Sequence, residues 1–107
     1  MPRILVDADA CPVKDEIYRV AVRHGIAAVV VSNSGMRLPG HPLITQMIVS
    51  GAFDAADDWI AAQAGTDTLV ITGDILLADR CLKAGAAVLA HNGRAFTTSS
   101  IGAAIAT

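Results

Sequence analysis

Short runs of branched aliphatic residues alternate with helical patterns along almost the whole of this chain, and few folds accommodate that alternation. Residues 3–7 place Ile4, Leu5 and Val6 ahead of Asp7, and residues 27–32 carry Val29, Val30 and Val31 in succession. Residues 68–72 hold Leu69, Val70 and Ile71, and shorter runs occupy 46–49 and 86–90. Continuous apolar runs of this length suit parallel strands buried on both faces. Between the first two runs, Val13, Ile17, Val20, Ala21 and His24 recur at helical spacing. That helix opens at Ala10-Cys11-Pro12, with Pro12 near the first helical position, and ends at Gly25. Further helices are expected over 54–64 and 75–83, the latter stopped by Gly85, and a short one over 99–107 capped by Ser99 or Ser100. Residues 33–45 form a loop with Gly35, Pro39, Gly40 and Pro42, and Asn92-Gly93 marks a turn. Strands alternating with helices imply right-handed βαβ units. The expected fold is one three-layer α/β/α sandwich with a mainly parallel central sheet and strand 3–7 in its interior.

At 107 residues the chain is long enough for one domain with a modest core. Its hydrophobic content of 53% excludes a disordered chain. Those residues are spread in short runs, well below the ~18 residues of a membrane span. Asp7 follows the first apolar run at once, unlike a signal peptide, so a cytoplasmic location is expected. A net charge of −2 argues against a simple basic nucleic-acid-binding module. Cys11 and Cys81 fit no zinc or redox spacing and are expected to pack as small apolar residues.

Six of the ten acidic residues fall in three short stretches at element ends: Asp7 and Asp9, then Asp54, Asp57 and Asp58, then Asp74. The carboxyl ends of parallel strands share one sheet edge, where ligands bind. Carboxylates gathered there repel one another unless a cation joins them, and hard ions such as Mg²⁺ or Mn²⁺ take oxygen ligands. Asp7 ends a fully apolar strand, where an unpaired carboxylate is costly if buried. Asp9 is also a natural helix cap. Asp54 is a natural N-cap of the next helix and lies i, i+3 from Asp57 and i, i+4 from Asp58, although acids also suit a first helical turn for its dipole alone. Asp58 is the acid expected to face solvent. Asp74 follows Gly73 and can cap the next helix while still reaching a ligand. Asp79 is read as surface, and His24 as a helix-end residue favoured by the dipole. His41 and His91 lie in loops. No phosphate loop, Gly-x-Gly-x-x-Gly or Ser-His-Asp order is present, which disfavours nucleotide kinases, dinucleotide enzymes and serine hydrolases.

The stretch from Val6 through Asp7, Asp9, Cys11, Pro12 and Lys14 to Ile17 closely resembles the opening of the bacterial YaiI/YqxD family. Asn33-Ser34, the stretch from Phe53 to Ile60, and that from Val70 to Ala78 match the same family in order and spacing. This family is similar to a branch of the PIN-like nuclease superfamily, whose clustered acids bind Mg²⁺ or Mn²⁺ to cut phosphodiesters. The resemblance implies that Asp7 is the acid ending the first strand, that Asp57 rather than Asp58 is the helical ligand, and that Asp74 ends the Thr-x-Asp strand. It also implies two departures: Leu76 stands where PIN nucleases often carry a second acid, and the family's usual basic, Gly- and Pro-containing extension would follow Thr107.

The expected function is a metal-dependent phosphodiesterase or nuclease acting on RNA or DNA, with RNA or single-stranded nucleic acid as the expected partner. Asp7, Asp57 and Asp74 are the expected catalytic ligands of one or two divalent ions, with Asp9 and Asp54 as outer or second-ion ligands. Lys14, Asn33 and Arg37 are the candidates for phosphate contacts. The alternative is a non-catalytic module that keeps the acidic pocket for a cation or a partner.

Overall fold

A computed structural model describes residues 2–8, 15–50 and 54–101. Its elements are β1 (Arg3–Asp7), α1 (Asp15–His24), β2 (Ala27–Ser32), β3 (Ile44–Ile48), α2 (Ala55–Gln63), β4 (Thr68–Ile71), α3 (Ile75–Lys83) and β5 (Ala87–Leu89). Residues 98–101 are helical as well. The five strands lie in the order β3-β2-β1-β4-β5, and every strand pairing is parallel. β1 is therefore the central strand, as its apolar sequence requires. The chain builds outward from β1 to β2 and β3, then crosses back to β4 on the other side, so the order of strands reverses between β1 and β4.

Strand parity sorts the core into two layers. Leu5, Val31, Val70 and Val88 pack with Ala56 and Ile60 of α2 and with Leu77, Ala78 and Cys81 of α3. Ile4, Val6, Ala28, Val30 and Ile71 pack with Tyr18 and Ala21 of α1 on the opposite face. Successive strand side chains point to opposite faces, which explains why Leu5 and Ile4 part company. Leu5 and Ile60 are fully buried. Truncating Leu5 to Ala would cost about 2–5 kcal/mol through lost transfer energy and the cavity left behind.

Several element ends differ from the sequence expectation. β3 begins at Ile44 rather than at residue 46, because the β-branched pair Ile44-Thr45 joins the β2 ladder directly after the Pro42-Leu43 turn. In α1 the core face is carried by Tyr18 and Ala21, with Ile17 half-buried, while Val20 is 49% exposed and His24 lies in solvent. The stripe is rotated because Tyr18, three residues before Ala21, presents its ring to the sheet. The expected start of this helix, at Ala10 to Pro12, lies outside the described residues, as does Cys11. Cys81 is buried in the core as expected.

α1 packs chiefly over β2 and β3, which leaves a cavity of ≈ 390 Å³ on that face, lined by Ile17, Val20, Leu69, Ile71, Leu89 and His91. No helix among the described residues is long and apolar enough to cross a membrane.

Candidate functional site

Asp7 is the last residue of the central strand and only 3% exposed. Parity gives it the face of Leu5, towards α2 and α3. Thr72, one residue beyond β4, shares that face with Val70 and is fully buried. Its backbone N–H still reaches Leu89 O on β5 at 3.0 Å, so the ladder extends to it. The Thr72 hydroxyl donates to Asp7 Oδ2 at 2.7 Å and accepts the Asp74 N–H at 3.0 Å. One hydroxyl thus ties the two acids that flank the reversal in strand order, the place where open α/β sheets bind ligands.

Asp74 caps α3. Its Oδ1 accepts from Leu76 N–H at 2.9 Å and from Leu77 N–H at 3.3 Å. Extended backbone at Asp74 (φ −88, ψ 112) aims the carboxylate at those amides, as an N-cap requires. Asp54 precedes α2 in the same way but makes no side-chain cap bond. The capping reading is corrected there: at φ −94, ψ 11 the backbone has already turned towards the helix and no longer aims the carboxylate at the next amides.

Asp57 stands in the first turn of α2, beside the buried Ala56 and three residues before the buried Ile60. Burial, followed by the charges of Asp7, Asp74 and Asp54, pushes its carboxyl up to about 6, against a smaller downward pull from Arg80. Three carboxylates from three separate stretches of sequence thus bear on Asp57. Cys81 lies beneath them, its thiol pushed up to about 11, chiefly by burial. A thiol that far from ionising is inert.

Asp58 faces solvent, as expected, and pairs with Arg80 Nη1 of α3 at 3.0 Å. Asp79 is half-buried and pairs with Lys83 at 2.9 Å. Asn33 is exposed at the carboxyl end of β2, on the same sheet edge as Asp7, and Arg37 is exposed further along the loop. His41 has a local task, its Nδ1 accepting the Leu43 N–H at 3.1 Å. Asp9 and Lys14 lie outside the described residues. Sequence reasoning missed Thr72 and Arg80. Thr72 was legible in principle, being two residues beyond Val70 on the same face; Arg80 was not, because its partner depends on how α2 and α3 pack.

The donor chemistry suits a hard divalent cation: oxygen ligands only, with an excess of negative charge. The spacing is looser. Among the described residues no group of three or more His, Cys, Asp or Glu side chains stands ready to hold one ion. Electrostatic coupling reaches much further than a coordination bond of about 2.0–2.6 Å. An ion shared by Asp7, Asp57 and Asp74 thus requires a rotamer change or a further donor. The ≈ 390 Å³ cavity lies on the α1 face of the sheet, away from these acids.

A family model described as "Uncharacterized BCR, YaiI/YqxD family" matches residues 5–107. The chain belongs to the YaiI/YqxD family. A UPF0178 protein of Sphingopyxis alaskensis is 68% identical over 106 residues, covering 99% of this chain and 69% of the relative. A UPF0178 protein of Parvibaculum lavamentivorans is 60% identical over 106 residues, 99% of this chain and 70% of that one. A third, from a Bradyrhizobium species, is 58% identical over 103 residues and 63% of its length is matched. The chain thus spans about two thirds of these YaiI/YqxD relatives. No solved structure matches it.

Proposed function

We propose that this protein is a divalent-metal-dependent phosphodiesterase or nuclease of the PIN-like kind, acting on RNA or single-stranded nucleic acid at the carboxyl edge of its sheet. The observation that carries this reading is the buried Asp7 at the end of the central strand, joined through the Thr72 hydroxyl to Asp74. An apolar strand gains nothing in stability from ending in a buried acid unless that acid has a partner.

Asp7, Asp57 and Asp74 would hold the ion, with Asp54 and Asp9 as outer or second-ion donors. Mg²⁺ or Mn²⁺ bound there would polarise a phosphate and lower the pKa of an attacking water. Thr72 fixes the orientation of Asp7, so one carboxylate of the set is held before any ligand arrives. Asp74 uses Oδ1 for its cap, which leaves Oδ2 directed elsewhere. The Asp57 carboxyl is raised by burial and by the charges of Asp7, Asp74 and Asp54, so a cation would relieve it. Asn33 stands at the same edge, ready for a phosphate oxygen.

A second reading, a cation-binding module without catalysis, draws support from the partners that Asp7 and Asp74 already have within the protein. Leu76, 68% exposed where the PIN resemblance expects an acid, favours it too. Incubation of single-stranded RNA and DNA with the protein and Mn²⁺ tests the two. Cleavage that needs the metal and vanishes in Asp7→Asn supports the nuclease. Thermal stabilisation by Mn²⁺ without cleavage supports the module, and no response to Mn²⁺ at all removes both.

A further inference from the structure

We propose that Arg80 is a phosphate-binding side chain of this site, held in reserve on Asp58 until a nucleic-acid backbone displaces that carboxylate. The proposal rests on the phosphodiesterase reading and names the residue that would engage its substrate.

Arg80 projects from α3 and reaches Asp58 on α2 at 3.0 Å, so its guanidinium bridges the first turn of the helix that carries Asp57. Of the other described cations, Arg37 and Arg94 are exposed in loops, and the rest are engaged or placed elsewhere. Arg3 donates to Gln63 at 2.8 Å, at the far end of α2. Lys83 pairs with Asp79 one turn away on its own helix, and Arg19 and Arg23 ride on α1 across the sheet.

The Arg80–Asp58 pair is built to exchange. Its side chains are 47% and 64% exposed, so the bond is screened by solvent and weak. One guanidinium nitrogen makes the contact, and the guanidinium as a whole carries five N–H donors in a planar fork. That fork matches a phosphate better than a single carboxylate oxygen does. A cluster of acids repels a polyanion. A movable cation on its rim offsets that repulsion when the substrate approaches, and Asp58 holds the cation in place meanwhile.

The test is binding of a fluorescent single-stranded DNA with a phosphorothioate backbone, which resists cleavage, by anisotropy with and without Mg²⁺. Arg80→Gln is expected to weaken binding about tenfold and to reduce the salt slope by about 0.7, the value of one single-strand phosphate contact. Asp58→Asn is expected to tighten binding about two- to fivefold, the range of an exposed ion pair. The double variant should bind no better than Arg80→Gln alone, and Arg80→Lys should restore the slope but only part of the affinity. Equal binding by Arg80→Gln and parent, an unchanged salt slope, or no binding by the parent overturns the proposal. Cleavage of the unmodified strand by the parent with Mn²⁺, together with Arg80-independent binding of the phosphorothioate strand, removes this role alone. Arg80-dependent binding without cleavage removes the hydrolytic reading alone.

Discussion

Thr72 donates its hydroxyl proton to Asp7 across 65 residues of sequence, at 2.7 Å and in the interior of the sheet edge. The same oxygen accepts the Asp74 amide. Replacing Thr72 by Val keeps the shape and removes the donor. Thr72→Val is therefore expected to lower stability by about 1–3 kcal/mol, the cost of stripping a bond from a buried charged group. Thr72→Ser should lose well under half of that. Denaturant melts of the three proteins check this, and a larger loss for Ser than for Val would mean that packing of the methyl, not the hydroxyl, matters there.

Asp57 sets a pH dependence. Its folded pKa of about 6 lies above the ordinary 3.8, so the folded state binds more protons between those values. The stability this contributes is full below about pH 3.8 and is lost as pH rises through about 6. In EDTA near neutral pH, Asp57→Asn should be more stable than the parent by about 1 kcal/mol, a figure kept low because the side chain is partly solvated. The gain should shrink towards pH 4, below which both forms are neutral. A constant difference across that range would show that repulsion among the acids is not its source.

Asp74 allows its two roles to be separated. Asp74→Asn keeps an oxygen for the amides of Leu76 and Leu77, whereas Asp74→Ala keeps none. Asp74→Ala is expected to cost about 1 kcal/mol, and Asp74→Asn only a few tenths. If Asp74 also holds a cation, both variants should lose the thermal shift that Mn²⁺ gives the parent. A full Mn²⁺ response in Asp74→Asn would leave the residue as a cap alone.

Asp7 decides the metal reading most directly. With free Mn²⁺ at about a hundred times its dissociation constant, the parent should gain about 2.7 kcal/mol by linkage. Asp7→Asn should gain much less, while remaining folded in EDTA. Thermal melts of both proteins, with EDTA and with Mn²⁺, give the answer, and an equal metal response in the two would remove Asp7 from any metal site.

Much of the frame was legible from the run of residues, because burial on both faces leaves a period-free apolar signature that few other elements mimic. β2 and α3 fall where the pattern places them, and Gly25, with φ +66, stops α1 where a left-handed residue is needed. The pattern failed where a neighbour in space made the choice. Ile44 joined β3 because β2 offered a ladder. Val20 lost its place in the core to Tyr18, since α1 rotates to suit the sheet beneath it. The positions of Asp7 and Asp74 at the sheet edge were readable from their strands. That Asp54 would fail as a side-chain cap was not, because it depends on a backbone angle, and Arg80 came to light only through the packing of α2 on α3.

The placement of Asp7 on a strand paired along both edges has a kinetic consequence. Amides of β1 are enclosed by β2 and β4, so they exchange with solvent only when the whole domain opens. Asp57 and Asp74 sit instead at the starts of two helices, where single turns fray independently. The floor of the acidic site keeps time with global unfolding, and its walls keep a faster clock of their own. A cation or phosphate gripped between floor and walls should therefore slow deuterium uptake at the first turns of α2 and α3 far more than its effect on β1 would suggest. Such a footprint would appear in regions joined by no hydrogen-bonded strand, which is how a ligand would announce itself in this protein before its chemistry is known.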